Sequence, residues 1–295
     1  MTVDTFHFAQ TRMGTVDSFL VLFIILSYLY MYKYMMNNNH KNILLSGIFI
    51  GCSIAVKWTG LYAGLGLCII FLTHVIQKHL INLKLILKSI LFFIIIPIVI
   101  YISSYLVYPN IQVNYTNTIP NIVTQTKDMY NYHSTLTEEH PFSSKWYTWP
   151  ISYKPVWYYV NQMDNNKKET ITGIGNITIW WMGILSLIYI IINLWKRQDK
   201  NSYIILVSIL SMWLPYLFIG RVMFLYHYFP VLQFVMLSIV SLIKDITEKF
   251  KTDFFLISYS ILFIFIFIIY YPVVSGLAID SNYIDSLKLF SSWIF

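Results

Sequence analysis

Residues 43–76 read ILLSGIFIGCSIAVKWTGLYAGLGLCIIFLTHVI, and the way this stretch crosses an apolar phase decides the fold. As one helix its 34 residues would run about 50 Å at roughly 1.5 Å per residue. A bilayer offers a hydrocarbon core of only about 30 Å. A single rod would also hold Lys57 near mid-membrane, at roughly 2.5–3.5 kcal/mol. Two legs joined at Lys57-Trp58-Thr59-Gly60 remove both difficulties, because Lys57 then sits at a membrane face.

The flanking charges demand the same answer. Lys33 and Lys41 lie before the stretch; Lys78, Lys84 and Lys88 lie after it; Lys196, Arg197, Lys200 and then Lys244, Lys249, Lys251 mark two later connections. The positive-inside rule places all four short segments on the cytoplasmic side. The first two share a side only if 43–76 crosses twice. With spans at 15–32, 89–108, 171–195, 203–220, 225–243 and 254–271, the count is about eight crossings, both termini outside. The expected fold class is therefore all-α, a polytopic transmembrane bundle, with one external loop of about 60 residues. The parts are 1–108 (N-terminal transmembrane part), 109–170 (external loop) and 171–295 (C-terminal four-helix region).

Composition agrees. Hydrophobic residues make up 57 % and charged residues 11 % of the 295, against roughly 25 % charge in soluble domains. The apolar runs are continuous, which excludes an alternating β-barrel. The formal charge of +7 reads as topology, not as a nucleic-acid footprint. Cys52 and Cys68 lie in apolar stretches and read as small hydrophobes. No ligand cluster has metal spacing. Asn114-Tyr-Thr and Asn176-Ile-Thr match a weak glycosylation pattern.

Several polar residues ask for more than anchoring. Arg12, with His7 and Asp17 nearby, either snorkels at the interface or faces an anionic head group. Lys57-Trp58 is an anchor or a contact. The loop holds His140-Pro-Phe-Ser-Ser-Lys-Trp-Tyr-Thr-Trp-Pro150, in which His140, Lys145, Trp146 and Trp149 suit a sugar and a phosphate. Rings cover apolar sugar faces and Lys acts as a point charge. The following Lys154 to Val160 reads as an amphipathic interfacial helix. Arg221 and His227, with Tyr226 and Tyr228, close a further external turn. Cations at 12, 57, 145 and 221 thus fall on one side, as for an outward-facing anionic ligand. A transporter would place charges near mid-membrane in two broken-helix halves.

Five blocks in order resemble the protein O-mannosyltransferase family: His7-Phe-Ala-Gln-Thr-Arg12 with Asp17-Ser18; Gly51 to Gly60 around Lys57-Trp58; His140 to Pro150; Gly175-Asn176 with Trp180-Trp181; and Tyr226-His-Tyr-Phe-Pro230. The resemblance implies a GT-C-type bundle in the cell membrane that transfers mannose, with inversion, from a polyprenyl-phosphate donor. The implied acceptors are Ser or Thr hydroxyls of exported proteins, and no cofactor is implied. It casts Arg12, Arg221 and His227, then Lys57 and Lys145, as donor or phosphate contacts, and His140, Trp146 and Trp149 as sugar or acceptor contacts. The short loop leaves no room for the soluble β-trefoil of eukaryotic members, which points to the bacterial type.

Family members carry an acidic Asp-Glu pair in their first external loop as the base. This sequence contains no Asp-Glu dipeptide, and Glu138-Glu139 lies in a different loop. The catalytic residue is thus unknown from these residues. The expectation is a member lacking its first helices, impaired alone or completed by a separate N-terminal fragment. A related transferase with a lipid or glycan acceptor and a non-catalytic membrane subunit are the alternatives.

Overall fold

The computed structural model describes residues 2–106, 118–136 and 139–295, the backbone alone for 118–121. In chain order the helices are α1 (Thr5–Arg12), α2 (Asp17–Asn37), α3 (His40–Val56), α4 (Gly60–Gln77), α5 (Leu83–Ile90), α6 (Ile96–Leu106), α7 (Thr118–Thr135), α8 (Ile177–Arg197), α9 (Lys200–Trp213), α10 (Phe229–Phe250), α11 (Phe254–Ser275) and α12 (Ser281–Ser286). The strands are β1 (Val156–Gln162), β2 (Lys167–Gly173) and β3 (Ile279–Asp280). Among the described residues, 7 helical stretches are long and apolar enough to cross a membrane, and α3 is a shorter apolar helix of 17 residues. The chain is a multi-pass membrane protein; seven of the eight expected crossings have helices of spanning length, and α3 stands where the eighth was expected.

The stretch 43–76 does fold as two legs. α3 stops at Val56, Lys57 takes an extended backbone (φ −160°, ψ 138°), and α4 starts at Gly60. Gly60 is required by closeness: a Cβ there would lie 2.6 Å from Ser53 Oγ and 2.7 Å from the Ser53 carbonyl carbon.

The described residues form two compact units, one of 16–138 with 218–221 and one of 1–15, 139–217 and 222–295. In the first, α2 and α3 pack through small residues. Ser27 Oγ donates to the Ser46 carbonyl and Ser46 Oγ to the Ser27 carbonyl, each at 2.9 Å. Tyr28 Oη donates to the Ala63 carbonyl at 2.9 Å and ties in α4. Such bonds satisfy polar groups where no water can. Between α5 and α6 the helix widens into a π turn, Leu91–Ile95, just ahead of Pro97. Pro97 has no N–H to donate, and the wider turn absorbs the break. Gly47 and Gly51 of α3 make room for it: a Cβ on Gly47 would stand 2.1 Å from the Phe92 carbonyl oxygen, and one on Gly51 2.8 Å from Pro97 Cα.

In the second unit, α8 packs on α10 through Ser186 and Ser238 (2.6 Å) and through Gly183 against Val235. Ala9, Ile174, Tyr270, Val273, Ile284 and Trp293 belong to one buried cluster there. This unit also carries a clear departure from expectation: Lys154 to Val160 is no interfacial helix. β1 pairs antiparallel with β2, from Val156↔Gly173 to Gln162↔Lys168, and β3 adds to β2. Val156-Trp-Tyr-Tyr-Val160 is β-branched and aromatic, the composition of strands. Asn165 and Asn166 take left-handed φ (66° and 57°), as the centre of a mirror-image hairpin turn requires. The span expected from 171 accordingly begins at Ile177, capped by Asn176.

If Gly47 exists for the π turn, Gly47→Ala lowers the melting temperature of the detergent-solubilised protein by the equivalent of about 1–3 kcal/mol. Gly64→Ala, whose new Cβ would meet ordinary contact at 3.6 Å, leaves it unchanged. Equal melting of both variants contradicts the packing account.

Candidate functional site

The α3–α4 turn, α6, the last turns of α7 and residues 218–221 enclose a cavity of about 1010 Å³, all within the first unit. Its size is at the upper end for small-ligand sites. Lys57, Trp58 and Tyr62 line it from the turn, Tyr101 and Tyr105 from α6, and His133 and Arg221 from the opposite wall. The aromatic wall is fixed by hydrogen bonds. Trp58 Nε1 donates to Tyr101 Oη (3.1 Å), which in turn lies 2.9 Å from Tyr105 Oη and 3.3 Å from Thr126 Oγ1.

Two cations face this space. Lys57 Nζ bonds Asp17 Oδ1 at 2.8 Å; the lysine side chain is 29 % exposed and the carboxylate 6 %. Asp17 therefore orients Lys57 and offsets part of its charge. Arg221 Nη1 lies 3.1 Å from His133 Nδ1, and among the described residues no carboxylate pairs with Arg221. Burial, then the charges of Arg221 and Lys57, hold the His133 imidazole below its usual pKa. The arrangement is a basic, aromatic-walled recess, the chemistry that receives a phosphate joined to a sugar.

The structure brings Lys57 and Arg221 together and puts the other expected residues in the second unit. Arg12 is exposed and its guanidinium lies over the Phe8 ring, 4.7 Å from the centroid. Lys145 is exposed ahead of the 3₁₀ turn Trp146–Ile151. His140 Nδ1 accepts from the Phe142 N–H at 3.2 Å, and its ring lies 5.0 Å from that of Phe224. Trp146 packs edge-on to Trp213, whose Nε1 donates to the Trp146 carbonyl. Trp149 is fully buried, donates to Ser144 Oγ at 3.0 Å, and stacks on His227. His227 is buried too, beside Tyr216, with Nδ1 3.0 Å from the Phe224 carbonyl. Trp149 and His227 are thus core partners that shape the loop. Asn176 is buried as a helix cap, while Asn114 and Glu138 lie outside the described residues. His133, Tyr62, Tyr101 and Tyr105 were not singled out from sequence. Met129, Tyr130, His133 and Ser134 recur at helical spacing and all line the cavity, which was the available signal.

Comparison with known proteins bears on what this recess belongs to. A family model described as the C-terminal four TMM region of protein-O-mannosyltransferase matches residues 118–293, more than half of the chain. The model described as dolichyl-phosphate-mannose-protein mannosyltransferase matches residues 1–112. The chain belongs to the protein O-mannosyltransferase family. A polyprenol-phosphate-mannose–protein mannosyltransferase of Mycobacterium tuberculosis is 27 % identical over 178 residues, covering 53 % of this chain and 34 % of that protein. One of the same name from Corynebacterium glutamicum is 21 % identical over 295 aligned positions, covering 84 % and 57 %. The chain thus spans about a third to just over half the length of these curated mannosyltransferases. The Saccharomyces cerevisiae protein O-mannosyltransferase Pmt1-Pmt2 complex bound to the sugar donor aligns with a TM-score of 0.81 at 12 % identity, over 99 % of this chain and 75 % of that one. That likeness shows the fold, the GT-C-type bundle expected from sequence.

No acidic residue lines the cavity among the described residues. Asp4, in the second unit, is buried and fully engaged: Oδ2 accepts from the His7 N–H, and Oδ1 from the Asn176 N–H and from Trp180 Nε1. Burial raises its pKa from 3.8 to about 6, against those hydrogen bonds. A raised carboxyl pKa favours the protonated form in the folded state. Stability is therefore full below about pH 4 and declines up to about pH 6, by about 3 kcal/mol in all. Thermal melts of the wild type should fall across that window while Asp4→Asn, which cannot titrate, stays flat. Parallel curves would contradict the assignment.

Proposed function

We propose that this chain acts in protein O-mannosylation, transferring mannose from a polyprenyl-phosphate donor to Ser or Thr hydroxyls of exported proteins. The observation that carries the reading is the single cavity bearing both Lys57 and Arg221 between tyrosine and tryptophan walls. The relatives' names, polyprenol-phosphate-mannose–protein mannosyltransferases, support the donor class. The lipid chain leaves through the apolar face of the bundle, and the phosphate meets the two cations. The rings of Trp58, Tyr62 and Tyr105 offer faces to the sugar.

In an inverting transfer the acceptor oxygen attacks the anomeric carbon opposite the phosphate. A new C–O bond forms as the C–O bond to phosphate breaks, and the lipid phosphate leaves with one more negative charge. Lys57 and Arg221 lower the barrier by meeting that charge as it develops. The acceptor proton goes to a base, a role that no cavity residue among the described ones fills with a carboxylate. The sugar is already activated as a phosphodiester, so the reading calls for no cofactor. The loop motif from His140 to Pro150, rigidified by Trp149, is proposed to meet the acceptor peptide. The Lys-rich connections support a reading in which the α3–α4 turn, and with it the cavity, lies at the outer face of the cell membrane.

Mannose transfer from radiolabelled polyprenyl-phosphate mannose to a Ser/Thr-rich peptide, measured in membranes of the source cells, tests the reading. Arg221→Ala should lower kcat by about 100-fold, with Arg221→Lys retaining part of the rate. Transfer at the wild-type rate in Arg221→Ala and Lys57→Ala would overturn it.

A further inference from the structure

We propose that His133 is the positioning residue of Arg221: a neutral imidazole that holds the guanidinium against the cavity wall and lets it go on protonation. This rests on the donor reading above and adds to it a residue and a pH dependence.

A guanidinium only donates and does not lose its charge in a protein. The 3.1 Å contact between Arg221 Nη1 and His133 Nδ1 is a hydrogen bond only if Nδ1 carries a lone pair. That fixes His133 as neutral, with its proton on Nε2. The imidazole sits in the last turn of α7, with its ring 5.3 Å from that of Tyr132. Arg221 lies in a short irregular segment after the 3₁₀ turn Leu214–Phe218, so its own backbone constrains it little. Asp17 anchors Lys57; among the described residues it is an imidazole, with no charge of its own, that anchors Arg221.

That difference has a chemical use. A carboxylate partner would cancel the charge that a phosphate is to meet. A neutral acceptor orients the fork and leaves the full positive charge for the ligand. The cost is sensitivity to acid. Among the described residues the charges that act on His133 are those of Arg221 and Lys57, the latter paired with Asp17, and the phenols of Tyr62, Tyr101, Tyr105 and Tyr130 share the cavity. Protonation removes the Nδ1 acceptor and sets a second cation against the guanidinium. Burial and the two neighbouring cations hold the imidazole below its usual 6.5, so the anchor is intact at neutral pH and is lost only as the pH falls below that value.

The test is binding of polyprenyl-phosphate mannose to the full chain in lipid nanodiscs at pH 7.5 and pH 5.5. This probe is a phosphodiester with a constant single negative charge over that range. At pH 7.5, Arg221→Ala should weaken binding about tenfold or more, and His133→Phe about fivefold. His133→Asn, whose Oδ1 takes the place of Nδ1, should restore most of what His133→Phe loses; His133→Gln, which mimics Nε2 instead, should not. As the pH falls below 6.5 the wild type should weaken progressively and His133→Asn should not.

Loss in Arg221→Ala with wild-type binding in His133→Phe overturns the positioning role and leaves the donor reading standing. So does wild-type binding that tightens on acidification. If the wild type does not bind the probe, or Arg221→Ala binds as the wild type does, the donor reading itself fails and this inference with it.

Discussion

A lysine at the middle of a bilayer costs roughly 2.5–3.5 kcal/mol, and much of the structure follows from where Lys57 goes instead. Its helix ends, the chain turns over three residues, and α4 starts again at a glycine that tolerates the contact with Ser53. That turn puts Lys57 and Trp58 at the mouth of a recess. It also divides 43–76 into two legs, as the expectation that the Lys-rich connections share a side requires. A charge too costly to bury has become both a topological marker and a wall of the cavity.

The recess depends on small residues elsewhere. Gly47 and Gly51 let the π turn and Pro97 lie against α3, and α6 carries Tyr101 and Tyr105 beyond that contact. The tyrosine hydroxyls are then held in a chain with Trp58 and Thr126. Packing of the helix pair and geometry of the aromatic wall are thus one problem, solved by the absence of two side chains. The two cations are held differently, Lys57 by a carboxylate and Arg221 by an imidazole, so they present unequal net charge to whatever enters.

The legible parts of this molecule were those set by local penalties. Length and the charge of Lys57 forced the two legs, and the Lys-rich connections fixed which segments share a side. The loop was harder. Trp and Tyr beside Lys fit an interfacial helix and a half-buried strand equally well, and only the Asn165-Asn166 turn separates them. Trp149 and His227 carried the chemistry of ligand contacts, yet they stack on each other in a core, because a stiff loop in a membrane protein also needs large buried rings. His133 went unnoticed for the opposite reason. Its partner lies 88 residues away, and nothing local marks a histidine near a helix end as the anchor of an arginine. Tyr62, Tyr101 and Tyr105 read as ordinary span residues until the helices are assembled.

The proposed function stands on the first unit's cavity as the place that holds the lipid-phosphate sugar. The most direct measurement is photocrosslinking of the chain in membranes with a polyprenyl-phosphate mannose analogue bearing a diazirine beside the phosphate, followed by mapping of the labelled peptides. The account predicts label on the α3–α4 turn around Lys57 and on the segment around Arg221, suppressed by excess unlabelled donor. Competable label confined to the 139–151 loop or to α10 would contradict it.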